Sequence, residues 1–207
     1  MLEQFLKLDD ERKDRIINAA LREFSVKGYN DASTNVIARD AGISKGLLFH
    51  YIGSKKDLFL FLCDYTISKI KEDLFGQINM KEKDLLERFR QTALVKVDLL
   101  YKYPELFNFA LNALYSQSAE IKDEMNRIMK DASSLRFQKL FEDIDESKFR
   151  QDLEASKIKN LIIWALNGYS DSLSGEYIGK DLGGLDYGRS LEEFDAYLKI
   201  IRKCFYR

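Results

Sequence analysis

One proline, one histidine and two cysteines are all that 207 residues contain of these types, and each scarcity excludes something. A single proline, with eleven scattered glycines, argues against disorder and against a many-stranded sheet, so a mostly helical chain is the first reading. Cys63 and Cys204 stand 141 positions apart with no C-x-x-C and no zinc spacing, which leaves two reduced, buried, structural thiols as the expectation. The lone His50 can complete neither a metal site nor a catalytic triad. No cofactor is therefore expected, and an enzyme has little support. The opening MLEQFLKLDDERK lacks the apolar core of a signal peptide, and no apolar run approaches the length of a membrane span. A cytoplasmic location is expected.

What is present is an ordinary balance, 45% hydrophobic and 32% charged with a net charge of −1, unevenly spread. Residues 12–56 carry nine Lys/Arg against four Asp/Glu, whereas 57–207 carry 23 against 26. A basic N-terminal quarter on a mildly acidic body suggests a small polyanion-binding module, although solvated helix faces often look alike.

Apolar residues at helical spacing mark about nine helices, three short ones first. Ile16, Ile17, Ala20, Leu21 and Phe24 carry the first, which Gly28 ends. Residues 31–34 supply caps for a second through Ala41, and Ser44 caps a third. Ser54 and Asp57, one methylene short of a capping box, open a long helix of Leu58, Phe61, Leu62, Tyr65 and Ile70. A helix on Leu86, Phe89, Ala93, Val97 and Leu100 breaks before Pro104, and a short one follows through Tyr115. Ile121, Met125, Ile128, Ala132 and Leu135 form the next stripe. Residues 161–169, LIIWALNGY, are apolar on nearly every face and so must be covered on two sides, within their own domain or by a partner. A glycine cluster at 175–188 reads as the one long loop, and Leu191, Phe194, Leu198, Ile201 and Phe205 carry the last helix.

Residues 34–51, TNVIARDAGISKGLLFHY, fit a helix-turn-helix: Ala38 is small where two helices approach, Gly42 supplies a left-handed turn, and Ile43 fills the angle. At about 100° per residue, Leu48 and Ile52 share the buried side of the second helix, and His50 with Gly46 lies opposite. Leu47 falls about 120° from the centre of that side and should be exposed. Such a helix can present Lys45 and His50 to base edges or phosphates and Leu47 to a thymine methyl, with Gly46 admitting close approach. Phe49 reads equally as core flank or groove wall. Tyr51 can give its hydroxyl to a phosphate, and Thr34 and Lys55 head the flanking helices, where phosphates are favoured.

The run TNVIARDAGISKGLLFHYIGSKKDLF resembles the DNA-binding module of the tetracycline-repressor (TetR) family of bacterial transcriptional regulators. The resemblance rests on Ala38, Gly42 and Ser44, then Lys45, Gly46 and Leu48, the aromatics at 49–51, and Lys55 before Asp57 and Leu58. It is close over residues 10–65; Ile52 stands where the family often has phenylalanine, and Gly53 where a longer polar residue is common. It implies an all-α fold: an N-terminal three-helix bundle with the helix-turn-helix at 1–54, and a larger helical effector-binding and dimerisation domain at 55–207. By position, Thr34, Ser44, Lys45, Gly46, Leu47, Phe49, His50, Tyr51 and Lys55 would face DNA. The implied partners are double-stranded DNA with a roughly palindromic operator, a second copy of the chain and a small effector. Effector binding would change the spacing of two recognition helices matched to half-sites about 34 Å apart.

The expected function is a sequence-specific regulator, a repressor released by a small, largely apolar effector. The alternative is an effector-independent architectural factor or activator of the same fold. Trp164 reads either as core or as the wall of an effector pocket with Phe107, Leu111, Tyr115 and Tyr169, where Asn108, Asn112 and Asn167 would be polar anchors. Ile158, Ile162, Ala165, Gly168 and Ser172, with Phe194, Leu198, Ile201 and Phe205 on the last helix, form the candidate dimer surface.

Overall fold

The structure, a computed structural model, describes residues 2–115 and 118–207, without the side chains of Leu2, Glu3, Met129 and residues 132–136. Among the described residues the regular structure is helical. α1 spans Leu2–Leu6, α2 Asp10–Asp31, α3 Thr34–Asp40, α4 Lys45–Ile52, α5 Lys55–Gln77, α6 Leu85–Lys102, α7 Pro104–Leu114, α8 Lys122–Leu140, α9 Ala155–Tyr177 and α10 Gly188–Phe205. The nine expected helices are α2–α10, and α1 is an addition. No helix among the described residues is long and apolar enough to cross a membrane.

Local chemistry sets the boundaries. The Asp9 carboxylate caps α2 by accepting from the Arg12 N–H at 2.9 Å. Gly28, at φ +66°, kinks α2 where the sequence reading ended it, and one more turn follows to Asp31. Ser54 opens α5 as half of the expected box: the Asp57 N–H donates to its hydroxyl at 3.0 Å, and the hydroxyl donates to the Asp57 carboxylate at 2.7 Å. Pro104 is the first residue of α7, where its missing N–H has no bond to lose.

The chain forms two compact units, Met1–Ile70 with Tyr103–Ser133, and Lys71–Lys102 with Ser134–Arg207. The centre of the first unit is aromatic. Phe59 meets Phe24 and Tyr29 edge-on at 5.1 Å and tilts against Phe109 at 5.2 Å. α7 runs along α2, and the Asn112 amide donates to the Ser25 carbonyl. Ile121 and Met125 are buried where α8 begins, and Ile128 is half-buried; the side chains of Ala132 and Leu135, expected on the same stripe, lie outside the described residues. The Cys63 thiol donates to the Met125 Sδ at 3.4 Å, and burial pushes its pKa up to about 12.

The second unit is organised around two charges. Arg88, fully buried in α6, donates to the carbonyls of Met80 (2.9 Å) and Leu140 (3.0 Å) and to those of Glu82 and Glu142. Asp84 caps α6 through the Leu86 N–H at 3.0 Å and also receives Arg202 at 2.9 Å, Lys148 at 3.3 Å and the Tyr206 hydroxyl at 3.2 Å. The glycine-rich stretch is not the only long connection, because 141–154 also runs between helices, held by an antiparallel bridge of Phe149 with Tyr206. Cys204, expected to be buried, is exposed on α10. It lies on the outer face of that helix, two residues from exposed Arg202.

Candidate nucleic-acid interface

α3 and α4 form the expected helix-turn-helix. Ile37, Ala38 and Ala41 are buried, and the turn closes through the Gly42 N–H to the Arg39 carbonyl and the Ile43 N–H to the Ala38 carbonyl, both at 3.0 Å. Gly42 has φ +70°, a conformation in which a Cβ is strained, so the glycine is required by the turn. The Glu23 carboxylate of α2 accepts from the Ser33 N–H at 2.8 Å and fixes the start of α3. Ser44 caps α4 by accepting from the Leu47 N–H at 3.2 Å. Gly53, at φ +83°, ends it, which accounts for a glycine at a position where the sequence resemblance leads one to expect a longer residue.

Leu48 and Ile52 are buried, and Ser44, Lys45, Gly46 and His50 are exposed, as the wheel requires. Lys45 holds its ammonium 5.8 Å from the centroid of the Phe49 ring, itself half-buried, and the His50 ring lies 5.7 Å from that of Tyr51. A Cβ on Gly46 would stand in open space, so nothing inside the chain asks for glycine there.

Three of the expected contact residues are placed differently. Leu47 is half-buried against the core, because α1, unforeseen in sequence, packs on α4 and covers a side that three helices alone would leave open. Tyr51 is only 9% exposed. Lys55 is half-buried and already engaged: its ammonium donates to the Asn30 carbonyl at 2.9 Å and lies 5.1 Å from the centroid of Tyr29. The carbonyl end of α2 attracts a cation and the Tyr29 ring offers it a face. Thr34 is half-buried in the first turn of α3.

Nearby polar contacts extend from this module to α8. Burial, and then a hydrogen bond to Glu120, raises the pKa of the Tyr29 hydroxyl. Lys56 pairs with Glu124 at 2.7 Å and, through that hydrogen bond, holds the Glu124 carboxyl below the ordinary range. Sequence reasoning missed Lys56 and Phe5. The signal for Phe5 was the helical spacing of Phe5 and Leu8 in a segment read only for its lack of a signal peptide.

The residues suggested for an effector fall in two units. In the first, Phe107 is buried, Asn108, Leu111, Asn112 and Tyr115 are half-buried, and Asn112 is engaged by Ser25. In the second, Asn167 and Tyr169 are half-buried, and the Tyr169 hydroxyl donates to the Ser190 carbonyl at 2.8 Å. Trp164 is neither core nor enclosed wall, being 66% exposed on α9. Of the candidate dimer residues, Ile158, Ile162, Leu198 and Ile201 are buried within their own unit, so they pack this chain and do not face outward. Phe194 and Phe205 are half-buried, whereas Ala165, Gly168 and Ser172 are exposed. LIIWALNGY is apolar all round, so its sequence leaves the inward side of α9 undecided.

The family model described as bacterial regulatory proteins, tetR family, matches residues 16–62, from α2 into α5. The chain is similar to the HTH-type transcriptional regulator HbdR of Aromatoleum sp. (strain CIB), 35% identical over 72 residues that make up 35% of this chain and 31% of that protein. The chain thus spans less than a third of that relative's length. It is similar at lower identity, 22% over 160 residues covering 74% of this chain and 78% of the relative, to the fatty acid metabolism regulator protein of Bacillus subtilis (strain 168). In fold it resembles a TetR family transcriptional regulator from Chloroflexus aurantiacus, with a TM-score of 0.68 and 22% identity over 99% of this chain and 98% of that one. The module at residues 16–62 thus matches the tetR family of bacterial regulatory proteins, and the fold of the whole chain resembles that of a TetR family regulator.

Proposed function

We propose that the chain is a sequence-specific DNA-binding transcriptional regulator in which α4 enters the major groove. The observation that carries this is Gly46 beside exposed Lys45 and His50. A glycine inside a helix costs about 1 kcal/mol relative to alanine, and the fold neither fills its space nor needs a positive φ there. Its use lies outside the chain, in letting a duplex come close, while Lys45 and His50 supply donors to phosphates or base edges. By role, residues 1–54 form the reading head, and 55–207 serve dimerisation and effector binding.

The regulator works as a homodimer. Leu161, Trp164, Ala165, Gly168 and Ser172 share one exposed face of α9, and Tyr197 and Ile200 are exposed on α10 of the same unit. A tryptophan and an isoleucine more than half exposed leave an apolar patch that a second copy would cover. Repression relieved by a small apolar effector is the regulatory reading. Fatty acids are the class to try first, because a relative of similar length is a fatty acid metabolism regulator.

The test is selection of duplexes from a random pool by the intact protein, followed by titration of the enriched duplex. Lys45→Ala is expected to weaken binding about tenfold with circular dichroism unchanged, and affinity is expected to fall steeply with salt because phosphates are neutralised. Failure to enrich any duplex, or wild-type affinity in the Lys45→Ala chain, would sink the assignment of α4. Trp164→Glu is expected to turn a sedimenting dimer into a folded monomer; an unchanged dimer would exclude this face.

A further inference from the structure

α1 is only five residues long, too short to hold a helix in water on its own. Its order comes from docking. Phe5 is fully buried, its ring meets Phe61 of α5 edge-on at 5.1 Å, and its carbonyl accepts from the Leu8 N–H at 3.1 Å. α1 packs on α4, and Leu8 and Leu47 lie half-buried against the cluster to which Phe5 belongs. One side chain therefore sits in contact with α5 while its helix rests on α4. Beyond the hydrogen-bonded turn from α3, the eight-residue α4 is held by its Ser44 cap and by buried Leu48, Tyr51 and Ile52, and α1 adds a further support on its Leu47 side.

Resting on the DNA-binding reading, we propose that α1 is a brace for the recognition helix and that Phe5 is a positioning residue for sequence readout. Base-edge hydrogen bonds require α4 to be held within a fraction of an ångström, whereas attraction to phosphates tolerates a loose helix. Phe5 touches no DNA. It fixes α4 against α5, and its loss degrades discrimination more than overall affinity.

The experiment compares the intact protein with Phe5→Ala and Phe5→Leu on two probes: the duplex enriched by the wild-type protein and a scrambled duplex of the same composition. Phe5→Ala is expected to lose about tenfold on the enriched duplex and no more than about twofold on the scrambled one. Phe5→Leu, which keeps an apolar filler, returns the ratio to near wild type. Amide exchange in Phe5→Ala is expected to speed up across residues 45–52 while α2 stays protected. Equal losses on both probes would reduce Phe5 to a folding residue, and no loss on either would remove the brace altogether. Should Phe5→Ala not fold, the smaller truncation Phe5→Val is read by the same ratio, and an unchanged ratio overturns the proposal. Because the wild-type protein must first enrich a duplex, failure of the DNA-binding reading shows itself before any variant is measured.

Discussion

The two compact units are built from opposite materials. At the centre of the first, four rings pack together, Phe59 edge-on to Phe24 and Tyr29 and tilted against Phe109. In the second, a buried guanidinium gathers four backbone carbonyls and a carboxylate gathers two cations, a tyrosine and a helix end. Their surfaces differ in the same direction, since the first unit exposes Lys45 and His50 and the second exposes Trp164 and Ile200. Ring packing is tolerant of changes in charge and sensitive to changes in volume, and the carbonyl-and-carboxylate clasps respond the other way.

That contrast can be broken in three places. The largest effect is expected from Arg88→Leu, which fills space but strands four carbonyls, at a cost of about 4 kcal/mol read by denaturant unfolding; wild-type stability would show that the buried cation holds nothing. Phe59→Leu removes ring area from the first unit while leaving every charge in place, and should cost about 2 kcal/mol, with faster amide exchange confined to the first unit. The smallest is Asp84→Asn, about 1 kcal/mol at neutral pH, because Arg202 and Lys148 are each more than 40% exposed and solvent screens them.

Asp84 also gives the comparison a pH axis. Burial alone would raise its pKa, but the Arg202 hydrogen bond and charge, the Glu87 N–H and Lys148 outweigh burial and hold it below the ordinary carboxylate range. Its contribution is therefore complete above the unfolded carboxylate pKa and is lost as pH falls through the lower folded value. On acidification the amides of α6 and α10 are expected to lose protection, and Asp84→Asn should flatten that acid limb. An identical acid response in the variant would separate Asp84 from acid stability.

Much of this was legible in the sequence, for reasons that differ by region. Gly42, Ser44, Ser54 and Pro104 act through local chemistry, so their turns and caps could be read one residue at a time. Leu48, Ile52 and His50 followed from a wheel because α4 has one clear apolar side. On α9 apolar residues surround the helix, and nothing local distinguishes Ile162, fully buried, from Trp164, exposed. Phe5 and Leu8 offer a single helical spacing, too little to announce a helix by itself, and Leu47 was misjudged as a consequence. Nothing in the sequence around Arg88 signals burial. The carbonyls that receive it come from Met80, Glu82, Leu140 and Glu142, two of them more than fifty residues away, and no spacing rule connects them.

Lys55 carries a last consequence. Its ammonium spans the end of α2 and the start of α5, so it already serves as a rivet between these two helices. A phosphate that draws this cation outward must also unseat it from Asn30 and Tyr29, making DNA contact and the tie between α2 and α5 competitors for one charge. A Lys55→Ala chain that binds DNA weakly has therefore lost a rivet whatever else it has lost. The salt slope, which counts phosphates neutralised and is indifferent to rivets, tells the two apart.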